Sequence, residues 1–138
     1  MSQGNEIRKI LEETQTIALV GISHKPHRAS HQVAKFLMEK GYTVIPVNPK
    51  YKEVLGEACY ASLEDIPVSV DMVDCFRRSD AIMPLAESAI SIGAKVLWMQ
   101  LDVINHEAAA LAEAAGLEVV MDRCPKIEYV KWKVERKG

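Results

Sequence analysis

The side chains best suited to chemistry follow a short apolar run that ends in a glycine. Residues 17–20 are all apolar, Gly21 comes next, and hydroxyl and basic side chains follow in a polar loop. In a doubly wound fold, such a turn presents backbone N–H groups and a helix N-terminus to a pyrophosphate. Hydroxyls and an arginine in the same loop add donors for phosphate oxygens. The candidate phosphate-binding residues are Gly21, Ile22, Ser23, Lys25, Arg28 and Ser30.

Structural roles stay open for several of these residues. Gly21 also suits an ordinary tight turn, and Ser30 also suits the N-cap of the following helix. Lys25 and Arg28 also suit a solvated loop. The turn therefore indicates an anion site only in combination with the segment that follows the next strand.

That segment carries a lysine where a nicotinamide-binding domain carries an acid. Asn48, Pro49 and Lys50 follow the apolar run 43–47, and the first carboxylate is Glu53. An NAD site needs an acid about 20 residues past the glycines to bond the ribose hydroxyls. A lysine instead favours a ribose that bears a phosphate. Prolines on both sides of Asn48 restrict its backbone, so its amide is predicted to have a fixed direction; a turn that merely ends the strand is the alternative.

A third basic segment, Phe76-Arg77-Arg78, follows another apolar run. Either arginine can bind a phosphate or pair with a nearby carboxylate such as Asp74 or Asp80. Ligand contact is favoured for Arg77, which is closer to the end of the strand. Ion pairing is favoured for Arg78.

Polar side chains also follow the last two apolar runs. Gln100 stands at the end of one run and is a candidate for polar contact with a ligand. Cys124 follows the other beside Arg123, and a neighbouring cation raises the thiolate fraction of a thiol. The four histidines lack a metal-ligand spacing with the cysteines. No Ser/His/Asp group, nucleophile elbow or Walker lysine motif occurs, so the residues favour binding over catalysis.

The elements that must position these side chains alternate between strand-like runs and segments of helical period. This alternation indicates an α/β fold with a parallel sheet covered on both faces. Right-handed crossovers favour a single Rossmann-like, doubly wound sheet of five strands in the order 3-2-1-4-5, with its crevice between the first and fourth strands. The predicted strands span residues 16–20, 43–47, 70–76, 95–99 and 117–121.

Helix boundaries are predicted from capping residues. Gly41 and Gly116 are placed to end helices, and Asn105 is placed to begin one. Ser62 and Asp65 have the capping-box spacing of one helical turn. The charged tail from residue 126 onward has scattered apolar residues and is left without an assigned element.

Composition limits the class of protein. The 138 residues are 49% hydrophobic and 26% charged, with a formal net charge of −2, which is typical of one globular domain spanning 1–138. The slightly acidic balance argues against a nucleic-acid partner. No apolar run approaches the roughly 18 residues of a membrane span, and the N-terminus lacks signal-peptide features. The three cysteines do not form a disulfide framework. We therefore expect a cytoplasmic protein without a membrane partner.

Taken in order, the motifs resemble the small coenzyme A-binding proteins with a succinyl-CoA-synthetase-like Rossmann domain. The resemblance spans residues 17–129 and rests on these segments: Val20-Gly21-Ile22-Ser23, Arg28-Ala29-Ser30, Pro46-Val47-Asn48-Pro49-Lys50, Phe76-Arg77, Leu97-Trp98-Met99-Gln100 and Met121-Asp122-Arg123-Cys124-Pro125. It implies one Rossmann-like domain that holds CoA by its phosphates and adenosine. The catalytic histidine and the partner subunit of the ligase are not implied.

The resemblance also implies roles within the site. The glycine turn corresponds to the phosphate-binding turn of the family, and Asn48 to Lys50 correspond to its contact with adenosine and the ribose phosphate. Phe76 and Arg77 correspond to a third wall, and the pantetheine arm runs toward the Gln100 loop. This chain departs from the family pattern at Asp102, where relatives usually have a glycine. A carboxylate that pointed inward there would repel an anionic ligand.

The predicted function is that of a CoA-binding protein that is not an enzyme by itself, with a carrier, regulatory or redox role. Its partner is a small nucleotide, CoA or acyl-CoA, and a mixed disulfide between CoA and Cys124 is a further hypothesis. An NADP-dependent oxidoreductase is the alternative, because a 2′-phosphate also suits Lys50. Two features argue against it. No glycines follow Gly21 at the usual offsets of the fingerprint, and there is no substrate domain. A third possibility is an interaction module whose nucleotide only stabilises the fold.

Overall fold

A five-stranded parallel sheet organises residues 4–136, the part of the chain that this computed structural model describes. The expectations for the first three and last two residues lie outside the described residues. The helices are α1 (Gly4–Glu13), α2 (Ala29–Glu39), α3 (Ile82–Ser91), α4 (His106–Ala114) and α5 (Pro125–Lys131). The strands are β1 (Thr16–Val20), β2 (Thr43–Val47), β3 (Glu53–Val54), β4 (Glu57–Ala58), β5 (Met72–Cys75), β6 (Val96–Met99) and β7 (Glu118–Val120).

The sheet has the order β2-β1-β5-β6-β7. The predicted α/β class and the five parallel strands are confirmed. The predicted order 3-2-1-4-5 is wrong, because the third long strand, β5, pairs with β1 instead of lying outside β2. The outer edge of β2 is already occupied: Tyr60 N donates to Pro46 O at 3.0 Å, and Asn48 N donates to Tyr60 O at 2.9 Å. The chain therefore returns across β1 before it forms β5.

Each face of the sheet is covered by its own layer. On one face, α1, α2 and α5 pack against Ile17, Leu19, Met72 and Trp98. On the other face, α3, α4 and a short 3-10 helix, Leu63–Asp65, pack against alternate strand residues. The connection from β1 to β2 thus runs over one face of the sheet, and the connection from β2 to β5 runs over the other. This is what right-handed connections require when the chain reverses direction along a sheet.

Local sequence signals determine most of the boundaries of the helices and strands. β1 and β2 have the predicted ends, whereas β5, β6 and β7 are shorter than predicted. Asn105 caps α4 by accepting a hydrogen bond from Ala108 N at 2.9 Å. Gly41, at φ +93°, follows the end of α2, where Tyr42 N donates to Leu37 O as in a Schellman motif. No helix within the described range is both long enough and apolar enough to cross a bilayer.

The charged tail forms a helix that the sequence analysis did not assign. α5 begins at Pro125, a residue that suits the first position of a helix because its missing N–H would have no partner there. Tyr129 packs edge-on against Phe36 of α2, with ring centroids 5.5 Å apart. The helix therefore covers the carboxyl end of the sheet on the α2 face, beside the loops discussed next.

Candidate ligand-binding cleft

A cleft of about 940 Å³ opens at the carboxyl edge of the sheet. It is formed by the loops after β1, β2, β5 and β6 and by the start of α5. Among the predicted site residues, those that line it are Gly21, Ser23, Lys25, Arg28, Ser30, Lys50, Phe76, Arg77 and Gln100. Ile22, Asn48 and Pro49 do not line it. The sequence analysis missed several apolar and aromatic lining residues, among them Val33, Tyr51, Leu101, Val103 and Ile127.

The position of the crevice follows from the observed strand order. Because β5 lies beside β1, the direction of the winding changes between these two strands. Ligands of doubly wound sheets bind at this switch point. The crevice is therefore flanked by the loops after Val20 and Cys75, and the predicted location between the first and fourth strands is wrong. The Gln100 loop still lines the cleft, because β6 is the next strand.

Gly21 is required by a close approach of two backbones. Its N–H donates to Val47 O at 2.9 Å, and its φ of +88° lies in the left-handed region. A Cβ atom at this position would lie 2.1 Å from the carbonyl oxygen of Phe76. The glycine thus allows the turn after β1 to pass directly against the turn after β5. This is the point where the crevice begins.

The polar turn after Gly21 is held by the first turn of α2. Ser23 N donates to Ser30 Oγ at 2.9 Å, and Lys25 N donates to Ser23 Oγ at 3.1 Å. Ser30 is not the N-cap, since α2 begins at Ala29 and Arg28 occupies the cap position. The first N–H groups of a helix have no partner within it. Because Ala29 and Ser30 line the cleft, these groups lie at its wall.

Asn48, predicted to contact the ligand, is buried and bonded to two neighbouring segments. Its side chain is only 7% exposed. Nδ2 donates to Ile22 O at 2.8 Å, and Oδ1 accepts a hydrogen bond from Lys50 N at 2.9 Å. The amide therefore ties the glycine turn to the segment after β2 and fixes the backbone of Lys50. Lys50 and its neighbour Tyr51 are the residues of this segment that reach the cleft.

Positively charged side chains without an ion pair line the cleft, although the whole chain is slightly acidic. Lys25, Arg28, Lys50 and Arg77 line it and form no ion pair with any residue in the described range. Arg78 pairs with Asp80 at 2.6 Å, as predicted. Cations from the ends of three neighbouring strands create a local positive potential, which favours a ligand with several negative charges.

Two buried polar side chains lie at and below the floor of the cleft. Gln100 is 5% exposed, and its Oε1 has no hydrogen-bond partner. Asp74 is fully buried between Leu19 and Trp98 of the adjacent strands, and both of its carboxyl oxygens lack a partner. Burial raises the pKa of Asp74 well above its usual range. A carboxyl group without a hydrogen-bond partner therefore lies in the middle of the sheet.

Replacing Asp74 by asparagine should make folding less sensitive to pH. Between the ordinary carboxyl pKa, about 3.9, and the raised pKa of the folded state, the folded protein holds a proton that the unfolded chain has lost. The free energy of unfolding of the wild type must then fall as pH rises through this window. We expect the stability of Asp74→Asn relative to the wild type to rise across this window by about 1.4 kcal/mol for each pH unit, because the variant has no proton to bind.

Thermal denaturation between pH 4 and pH 7 measures this difference. The advantage of Asp74→Asn should shrink toward pH 4, whereas the exposed control Glu107→Gln should follow the wild type. Parallel stability profiles for Asp74→Asn and wild type would contradict a buried, neutral Asp74.

The three cysteines lie in different surroundings. Cys124 is 6% exposed and lines the cleft at the start of α5. Cys75 is completely buried on the opposite face of the sheet, and burial raises its pKa. Cys59 is partly buried, and burial raises its pKa as well. Of the three thiols, Cys124 alone borders the cleft.

The fold and the cleft together define a Rossmann-like nucleotide-binding class. A model of the CoA binding domain matches residues 15–130. The chain therefore belongs to the CoA binding domain family, which the order of its motifs had indicated.

Individual relatives agree with this membership. The chain is 40% identical over 124 residues to the uncharacterized protein YneT of Bacillus subtilis (strain 168), covering 90% of this chain and 92% of that protein. It is 45% identical to a hypothetical protein from Pyrococcus horikoshii OT3, with a TM-score of 0.93, covering 96% of this chain and 93% of that structure. It is also 28% identical over 120 residues to acetate–CoA ligase [ADP-forming] I of Archaeoglobus fulgidus, covering 80% of this chain but 18% of the ligase.

The match to the ligase relates this chain to the CoA-binding part of that enzyme and not to the whole enzyme. Neither the family nor these relatives support the oxidoreductase alternative.

Proposed function

We propose that this protein binds coenzyme A, as the free thiol or as a thioester, in the cleft at the carboxyl edge of its sheet. The observation that carries the proposal is the set of four unpaired cations around the Gly21 turn, in a chain that belongs to the CoA binding domain family. CoA carries a pyrophosphate and a separate 3′-phosphate. A site for it needs cations at two places, which the ends of β1 and β2 provide.

The pyrophosphate lies against the turn that follows β1. The backbone of this turn and the first N–H groups of α2 supply donors, as at other helix N-termini that bind phosphates. Ser23, Arg28 and Ser30 add side-chain donors, and Arg77 approaches from the loop after β5. Arginine suits this role because its guanidinium can bond two phosphate oxygens at once.

The adenosine end lies over the segment after β2. Lys50 meets the 3′-phosphate, and Asn48 acts indirectly by fixing the backbone of Lys50 through its Oδ1. Pro49 limits the freedom of the same segment. The ring of Tyr51 stands beside Lys50 in the cleft lining and offers an apolar surface to the adenine. The pantetheine arm then crosses β5 toward Gln100 and Cys124.

The proposed role is binding without catalysis, in the cytoplasm. A carrier or regulatory role needs only the cations and hydrogen-bond donors that the cleft offers to the phosphates of CoA.

A calorimetric comparison of CoA with NADPH at one salt concentration tests the proposal. We expect CoA to bind at least about tenfold more tightly, because the proposed site meets a 3′-phosphate whereas NADPH carries a 2′-phosphate, and one hydrogen bond to a charged group is worth about 1.5–3 kcal/mol. Tighter binding of NADPH would overturn the proposal in favour of a dinucleotide site. The absence of binding by both would overturn it altogether.

A further inference from the structure

The carboxyl edge of the sheet is divided by charge. The loops after β2, β1 and β5 carry the cations Lys25, Arg28, Lys50 and Arg77 into the cleft. The loops after β6 and β7 instead carry Asp102 and Asp122, and the one arginine there, Arg123, pairs with Glu128 at 3.5 Å. Strands lie about 4.8 Å apart, so Lys50 and Asp102 follow strands separated by roughly 14 Å. The two ends of the cleft thus differ in charge: four cations line one end, and Asp102 and Lys126 line the other.

Asp102 is held in place by its backbone while its carboxylate takes no part in the fold. Its φ of +67° is in the left-handed region, which aspartate and asparagine tolerate better than most residues with a side chain. Its N–H donates to Asp122 Oδ1 at 2.7 Å, and its carbonyl accepts a hydrogen bond from Ser79 Oγ at 3.3 Å. Asp102 lines the cleft, and its carboxylate forms no ion pair with a residue in the range 4–136.

The surroundings of Asp102 are apolar. Leu101 and Ile127 line the same end of the cleft and are 50% and 51% exposed, and the buried Val103 lines it as well. Lys126 also belongs to the lining, but its ammonium lies over the Phe36 ring of α2, 5.6 Å from the centroid. A small apolar group can be covered by Leu101, Val103 and Ile127. A carboxylate placed there would lie near the like charge of Asp102, whose backbone is held in place.

We propose that this end of the cleft selects thioesters with a short, uncharged acyl group, and that Asp102 excludes acyl groups that end in a carboxylate. The proposal rests on the proposed binding of CoA and adds the class of thioester. Asp102 acts as a specificity-determining residue, since its charge penalises one kind of acyl group and leaves the nucleotide contacts unchanged.

Butyryl-CoA and succinyl-CoA provide a matched pair of probes, because each has a four-carbon acyl chain and only the second ends in a carboxylate. Calorimetric titration of the wild type should give a Kd for succinyl-CoA roughly twofold to fivefold weaker than for butyryl-CoA, the range for an interaction between two exposed charges. Asp102→Asn keeps the shape and tolerates the left-handed backbone. In this variant the ratio of the two Kd values should fall, because only the repulsion is removed and the apolar surroundings still favour butyryl-CoA. The Kd of butyryl-CoA itself should change less than about twofold.

Glu107→Gln removes one exposed negative charge outside the cleft and controls for net charge; it should leave the ratio at the wild-type value. The wild-type ratio should also decrease at high salt, since salt screens exposed charges. Equal Kd values for the two thioesters in the wild type, or an equal change of both in Asp102→Asn, would overturn the assignment while CoA binding stands. Failure of CoA itself to bind would overturn the proposed function instead.

Discussion

Replacing Gly21 by alanine is expected to destabilise the protein by about 2–5 kcal/mol, the sum of a left-handed backbone penalty and an overpacking penalty. The added Cβ would lie 2.1 Å from the carbonyl oxygen of Phe76, which belongs to backbone and cannot rotate away. The turns after β1 and β5 would have to separate, and the crevice between them would change shape. Denaturant unfolding measures the loss of stability, and CoA titration measures the accompanying loss of binding.

The variant Gly93→Ala separates the backbone penalty from the overpacking penalty. Gly93 also has a positive φ, +76°, but an added Cβ would meet no atom within 4 Å. We expect this control to lose only about 1–2 kcal/mol, the backbone penalty alone. Equal losses for the two variants would show that the contact with Phe76 O has no influence on stability.

Replacing Lys50 by alanine should weaken CoA binding by about tenfold to a hundredfold, the equivalent of one hydrogen bond to a charged group. Lys50 forms no ion pair with a described residue, and its backbone is fixed by Asn48. Its removal should therefore change the ligand contact and leave the fold intact. Calorimetry gives the Kd, and an unchanged melting temperature without ligand confirms that the variant is folded.

Lys52→Ala is the matched control. Lys52 is also exposed and belongs to the same segment, but it does not line the cleft. It should leave the Kd within about twofold of the wild type, as most exposed charges do. A similar loss in both variants would mean that general electrostatic attraction, and not a specific contact of Lys50, determines the affinity.

The parts of the fold that depend on local residues could be predicted from the sequence. β1 and β2 ended where predicted because their apolar runs stop at Gly21 and Asn48. Asn105 capped its helix because its side chain needs only the backbone N–H three residues ahead. The gathering of most candidate side chains in one cleft followed from a general property of parallel sheets, whose carboxyl ends meet at one edge.

The parts of the fold that depend on contacts between residues far apart in the sequence could not be predicted. The order of the strands depends on the outer edge of β2, where Tyr60 forms a bridge with Val47. No spacing in the sequence indicates this contact. Asn48 was expected at the ligand because its type and place suit adenosine. Its burial and its bonds to Ile22 and Lys50 become visible only in three dimensions. The helix α5 was missed because the apolar residues of the charged tail are scattered along the sequence. They form one apolar face only when the tail is helical and packs against α2.

The central claim is that a cation beyond β2 recognises the 3′-phosphate of CoA. Calorimetric titration of the wild type with CoA and with dephospho-CoA, which lacks only that group, tests it most directly. We predict that CoA binds at least about tenfold more tightly, and that Lys50→Ala removes this difference without weakening dephospho-CoA. Equal affinities of the wild type for the two nucleotides would contradict the claim.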